Sequence, residues 1–243
     1  MTTPNRRSFL KYAGVGAGAL TLGGLNLSAL AATSPSTKSV QQDIAILQYA
    51  LVLEYLEATF YSAFTGNGGF AGKLKEERVR EYAKELADHE QKHVDALIAT
   101  IKELGGTANP KPNIDFQPLI GDGSSLNDQA FLKLAAIFEP IGVRAYLGQA
   151  PSIQNSKVLT AAASILAVEA NHASGIQELR REMGYVSGIV TNQTNIAPQP
   201  GTNDSETDTN NFDVSYSPVP TAFWKPLSME TVLKIVGPLI KSG

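Results

Sequence analysis

Of the three histidines in this 243-residue chain, two close the same short pattern: Glu90-Gln91-Lys92-His93 returns 79 positions later as Glu169-Ala170-Asn171-His172. On an α-helix, residues i and i+3 share a face with Cβ atoms about 5–6 Å apart, so a carboxylate and an imidazole so spaced can reach one ion. Two such pairs predict two ions, or one shared site. Both pairs fall on the apolar seam of their segments, where a charge without a partner is expensive to bury.

The first pair overlaps a competing pattern. His89-Glu90-Gln91-Lys92-His93 is also HExxH, the zinc metalloprotease signature, in which both histidines hold zinc and the glutamate is the base. That chemistry needs a third ligand downstream, and no histidine follows until His172. It also leaves Glu54, Glu139, Glu169 and His172 without a role.

The elements that would position these residues are helices. From Thr37 to Phe64, the residues Leu47, Leu51, Glu54, Ala58 and Tyr61 recur at alternating steps of four and three, the spacing of a bundle seam. A second stripe, Ala50, Leu53, Glu57, Phe60 and Phe64, runs beside it, and periodicity alone does not choose which glutamate, Glu54 or Glu57, faces inward. The turn Thr65–Gly69 leads to a second helix over Lys73–Leu104, with Val79, Ala83, Leu86, Glu90, His93 and Leu97 on its seam and His89 one position off it. Residues 105–125 lack helical period and read as a long crossover between two helical hairpins. The third helix, Leu126–Gln149, aligns Ala135, Glu139, Gly142 and Tyr146 around Pro140, which kinks or breaks it. The fourth carries Val158, Ala162, Ile165, Glu169, His172, Ile176 and Leu179.

The two halves match. Glu54 has Tyr61 seven residues on, Glu139 has Tyr146 seven residues on, and each of these helices precedes one bearing ExxH. This symmetry selects Glu54 over Glu57. Four-helix carboxylate bundles hold two metals with one Glu from each of two helices and an ExxH from each of the other two. Glu54, Glu90, His93, Glu139, Glu169 and His172 meet that description. A cluster of core polar groups joined by hydrogen bonds is the plainer alternative, but four buried glutamates repel, and two divalent ions would cancel their charge. Carboxylate and imidazole donors favour iron or manganese, with zinc also compatible. Tyr61 and Tyr146 are either ordinary buried tyrosines or catalytic groups acting beside the ligands.

On these motifs, and on the phrases "LEYLEATFY", "FEPIGVRAYLGQAP" and "AAASILAVEANHASGIQELR", the stretch from about residue 40 to 185 resembles the ferritin-like superfamily. It is similar to the branch that includes plant desiccation-related proteins, fungal stress proteins and exported bacterial ferritin-like proteins. The resemblance implies an all-α four-helix bundle over 37–185 and a dinuclear metal site on the six residues above. It further implies a small oxidant, hydrogen peroxide or dioxygen, as the partner. The enzyme reading is peroxide disproportionation or oxidation of ferrous iron. Its rival is a non-enzymatic stress-protective or metal-binding scaffold. An iron-storing cage fits poorly with the long C-terminal extension.

Composition narrows the rest. The absence of cysteine excludes disulfides, iron–sulfur clusters, thiol catalysis and the Cys-rich iron domain of rubrerythrins. Asn5-Arg6-Arg7-Ser8-Phe9-Leu10-Lys11 and the Gly/Ala-rich run behind it resemble a twin-arginine export signal, with Ala29-Leu30-Ala31 as a cleavage site ending a segment 1–31. That route carries folded proteins out of the cytoplasm, which suits a protein whose metal ligands are filled beforehand. A retained anchor over residues 13–32 is the alternative, opposed by the glycines, Asn26 and Ser28. The three cationic side chains of 1–31 face no acid, so their removal takes the formal charge from −3 to −6, which argues against nucleic acid as a partner. Residues 186–243 form an extension: a polar excursion over 191–217 without Lys or Arg, then a terminal helix capped by Ser228, which packs on the bundle or on a second subunit in a homo-oligomer.

Overall fold

The computed structural model describes residues 39–186, Trp224 and 226–241, together with two dipeptides, Thr21–Leu22 (β1) and Leu25–Asn26 (β2), that pair antiparallel. The polar excursion over 191–217 and the cleavage site at Ala29–Ala31 lie outside the described residues.

Four long helices form the bundle: α1 Val40–Ala63, α2 Glu77–Glu103, α3 Asp128–Gln149 and α4 Ser156–Glu182. α1 packs chiefly on α2 and α3 chiefly on α4, giving two hairpins joined by the crossover. Side-chain caps set three of the starts, with Ser39 accepting from the Gln42 amide, Asn127 from Ala130 and Asn155 from Lys157. The second helix begins at Glu77 rather than near Lys73, because the Asp128 carboxylate takes the amides of Lys75 and Glu76 at 3.0–3.1 Å and holds them outside the helix. Asp43 does the same across the molecule for Gln154 and Asn155, at 2.8 and 2.9 Å. Each hairpin thus anchors the start of a helix in the other. Gly105 (φ 82°) and Gly184 (φ 71°) close α2 and α4 in the left-handed conformation that a helix end of this kind demands.

All the residues of the four seams are buried, from Leu47 through Tyr61 on α1 to Val158 through Leu179 on α4. At one end of the bundle, Phe60 meets Tyr61, Phe64, Phe116, Phe131 and Phe138, with centroids 4.9–5.8 Å apart. α3 continues through Pro140 as one helix, so the proline does not break it.

The C-terminal segment covers the bundle. Leu227 donates its amide to the Arg144 carbonyl, and its own carbonyl comes so near Gly148 that a Cβ there would lie 1.9 Å away; only glycine admits it. α5, Met229–Val236, starts at Ser228, which accepts from Thr231, and lays its apolar face on α3. The strand β4, Ile240–Lys241, then pairs antiparallel with β3, Asn113–Ile114, tying the end of the chain to the crossover.

Candidate metal centre

Each long helix brings one or two acidic or imidazole side chains to the midline of the bundle. Glu54 (α1), Glu90 (α2), Glu139 (α3) and Glu169 (α4) are wholly buried, while His172 is buried at 3% exposure and His93 at 9%. These six residues fall into two groups, each with its donor atoms within 4.8 Å of one another: Glu54, Glu90, His93 and Glu169, and Glu90, Glu139, Glu169 and His172. Glu90 and Glu169, the carboxylates of the two ExxH pairs, belong to both groups. His89, the first histidine of the HExxH pattern, joins neither group.

The imidazoles present Nδ1 to the carboxylates. His93 Nδ1 lies 3.2 Å from Glu54 and 3.0 Å from Glu90, and His172 Nδ1 lies 3.0 Å from Glu139. Two further contacts, His93 to Glu169 Oε1 at 3.3 Å and His172 to Glu90 Oε1 at 3.1 Å, are within ion-pair reach. They are not aligned as hydrogen bonds, and Glu90 Oε1 and both Glu169 oxygens are buried without a hydrogen-bond donor. The three orphaned oxygens are on the two shared carboxylates. A buried anionic oxygen without a donor is costly, and a cation is the partner its chemistry calls for.

The tyrosines cross between the hairpins. Tyr61 of α1 donates to Glu139 Oε1 on α3, and Tyr146 of α3 donates to Glu54 Oε1 on α1. Each outer carboxylate therefore has one oxygen held by a phenol and the other directed to an imidazole. Burial, reinforced by these carboxylates, raises both phenols well above their ordinary range, so they stay protonated donors.

The titration of the cluster shows how protons balance it. Burial raises Glu54 to about 8 and lifts Glu139 and, more strongly, Glu169. Burial opposes charge on the imidazoles too, but their carboxylate contacts prevail and hold His93 at about 12 and His172 at about 10. Burial opposes charge on Glu90 as well, but both imidazoles lie within ion-pair reach of it and bring it down to about 2. One carboxylate is firmly charged, and two imidazolium groups face it.

The structure also places a carboxylate that sequence symmetry set aside. Glu57 is 4% exposed, and burial with the nearby Glu169 and Glu139 raises it well above the usual range. Both glutamates of α1 are inside because that helix is covered over most of its circumference. The matching position of α3 is Gly142, where a Cβ would stand 2.5 Å from Glu169 Oε2 and 3.5 Å from Glu57 Oε1. Glu57 thus occupies the side the glycine leaves open, a pairing visible in the sequence as Glu54-x-x-Glu57 against Glu139-x-x-Gly142. His89, off the seam, directs its Nδ1 to His172 Nε2 at 2.9 Å.

A bundle of two hairpins around such a centre defines a helical protein with a buried carboxylate–imidazole cluster that could hold metal ions. The family model for the ferritin-like domain matches residues 42–182, and the chain belongs to that family. A twin-arginine translocation signal matches residues 3–23, so the protein is exported from the cytoplasm by that pathway. No curated protein matches the chain. Among the described residues, no helix is long and apolar enough to cross a membrane.

Proposed function

We propose that this exported ferritin-like protein holds two divalent ions, iron or manganese, on Glu54, Glu90, His93, Glu139, Glu169 and His172, and acts on hydrogen peroxide or dioxygen in protection against oxidative stress. The observation that carries the reading is the pair of donor groups sharing Glu90 and Glu169, the two carboxylates that also hold the cluster's buried oxygens without a donor. Two ions bound there would supply redox change and Lewis acidity to a small oxygen species.

The protein's own groups divide the remaining work. Glu90 and Glu169, common to both donor groups, would help hold both ions, with His93 and Glu54 completing one group and His172 and Glu139 the other. Tyr61 and Tyr146 orient the outer carboxylates and keep their protons, which makes them donors rather than bases. Packed helices exclude bulk water on most sides, and His93, the most exposed of the six, marks the edge nearest solvent.

The test is the metal content of protein recovered after native export, followed by peroxide turnover. Two iron or manganese ions per chain with turnover supports the proposal. Two ions without turnover favours the metal-binding scaffold, and a folded bundle free of ions overturns the site itself. A single tightly held zinc revives the HExxH reading.

A further inference from the structure

The two candidate ion positions are not equivalent, and one of the differences between them is a side chain outside both donor groups. His89 Nδ1 stands 2.9 Å from Nε2 of His172, with the two rings stacked at a centroid distance of 5.2 Å and an interplanar angle of 17°. The residue that precedes the second ExxH in the same way is Val168, which has no nitrogen to offer His93. The repeat is thus broken at this point.

The hydrogen-bond logic of two imidazoles is strict, because one nitrogen of the contact must carry the proton and the other must not. A proton on His89 Nδ1 would require a bare Nε2 on His172, which puts the proton of neutral His172 on Nδ1 and blocks that atom as a ligand. A proton on Nε2 of His172, given to a bare His89 Nδ1, frees His172 Nδ1 toward Glu139 and Glu90. Only the second arrangement is compatible with an ion among the carboxylates. Tyr82, seven residues before His89 and on the same face of α2, donates its hydroxyl to the His172 carbonyl at 3.2 Å. Gly175 makes room for that phenol, since a Cβ there would lie 2.3 Å from it. α2 therefore grips His172 at both its backbone and its ring.

We infer that His89 is a positioning residue that accepts the Nε2 proton of His172 and makes the ion position built on Glu139 and His172 the tighter of the two. This rests on the dinuclear reading above. An acceptor on the far nitrogen of a metal-bound imidazole fixes its tautomer and orientation and raises its basicity, and losing one typically weakens binding by roughly 10–100-fold.

The experiment is titration of the full exported protein, stripped of metal, with Mn²⁺ against a competing chelator. Wild type, H89A and H89N are compared, the asparagine offering a carboxamide oxygen where Nδ1 stands. The expected result is two ions of unequal affinity in wild type, a roughly 10–100-fold loss in H89A confined to the tighter ion, and recovery in H89N. A purely structural role for His89 would weaken both ions together and would show as a lower Tm of the stripped protein. Equal weakening of both ions, no change in H89A, or an H89N no better than H89A overturns the inference while leaving the dinuclear reading intact. A wild type that takes up no ion overturns both. Should H89A fold poorly, H89L, which fills the space but likewise lacks an acceptor, takes its place, and a loss confined to one ion with recovery in H89N is still required.

Discussion

Metal loading of this cluster should be an exchange of ions for protons, and the number can be worked from the groups involved. At pH 7 His93, held at about 12, and His172, held at about 10, each carry a proton on or exchangeable with the donor nitrogen. Glu54, raised to about 8, is also mostly protonated, while Glu90 at about 2 is not. Two imidazoles and Glu54 give three protons that two ions must displace, and Glu169, raised well above its usual range, adds toward a fourth. The sign follows directly: protons compete with the ions, so acid weakens binding. With three protons released, the overall two-ion constant should fall roughly 1000-fold for each pH unit lost between 8 and 6. The assay is calorimetric titration with Mn²⁺ in buffers of different ionisation enthalpy, which counts protons, repeated across that pH range. Release of one proton or fewer, or a two-ion constant that stays flat with pH, would refute the charge assignment of the cluster.

Other outcomes follow from the same geometry. The metal-free protein should lose stability as pH rises from about 5 to 8. Glu54 keeps in the folded state a proton that the unfolded chain releases near 4.5, at a cost of the order of 1 kcal/mol per pH unit, and above about 6.5 His93 and His172, held at about 12 and about 10, each add a loss of the same order. Glu90 works the other way and withdraws its contribution only below 4.5; thermal melts with and without Mn²⁺ read both, and the loaded protein should lack the upper decline. Glu54→Ala or Glu139→Ala should lower the metal content from two ions, as elemental analysis shows, whereas a zinc site on His89 and His93 would be untouched. Tyr61→Phe should leave Glu139 Oε1 without its donor and cost about 1–3 kcal/mol in urea denaturation at unchanged m-value. Gly142→Ala should turn Glu169 away, because the added methyl lands 2.5 Å from its Oε2; the fold should persist by circular dichroism while both ions are held less tightly.

Much of this centre was legible because its residues repeat. The doubled ExxH, the doubled Glu-to-Tyr interval and the seams carrying them read directly as two hairpins facing each other, and the six residues do converge. The Glu-to-Tyr interval selects Glu54, which does join a donor group, but it says nothing of Glu57, which is buried as well because α1 is covered over most of its circumference. The second helix starts four residues later than its periodicity indicates, because that start depends on Asp128, which is distant in sequence. His89 lay off the seam, and nothing local announced that it would meet an imidazole on α4. Long-range side-chain partners and departures from the repeat are what periodicity does not carry.

Neither hairpin contains a whole ion position: each donor group takes residues from both, and the buried Asp43 and Asp128 latch the hairpins together from opposite sides. On the proposed reading, an undocked chain would retain no ion pair. A twin-arginine substrate crosses the membrane already folded, so the ions would be taken up where the hairpins close, in the cytoplasm. The choice between manganese and iron would then be made by the cell's internal metal pool, and the protein would carry that choice into a compartment with a different supply.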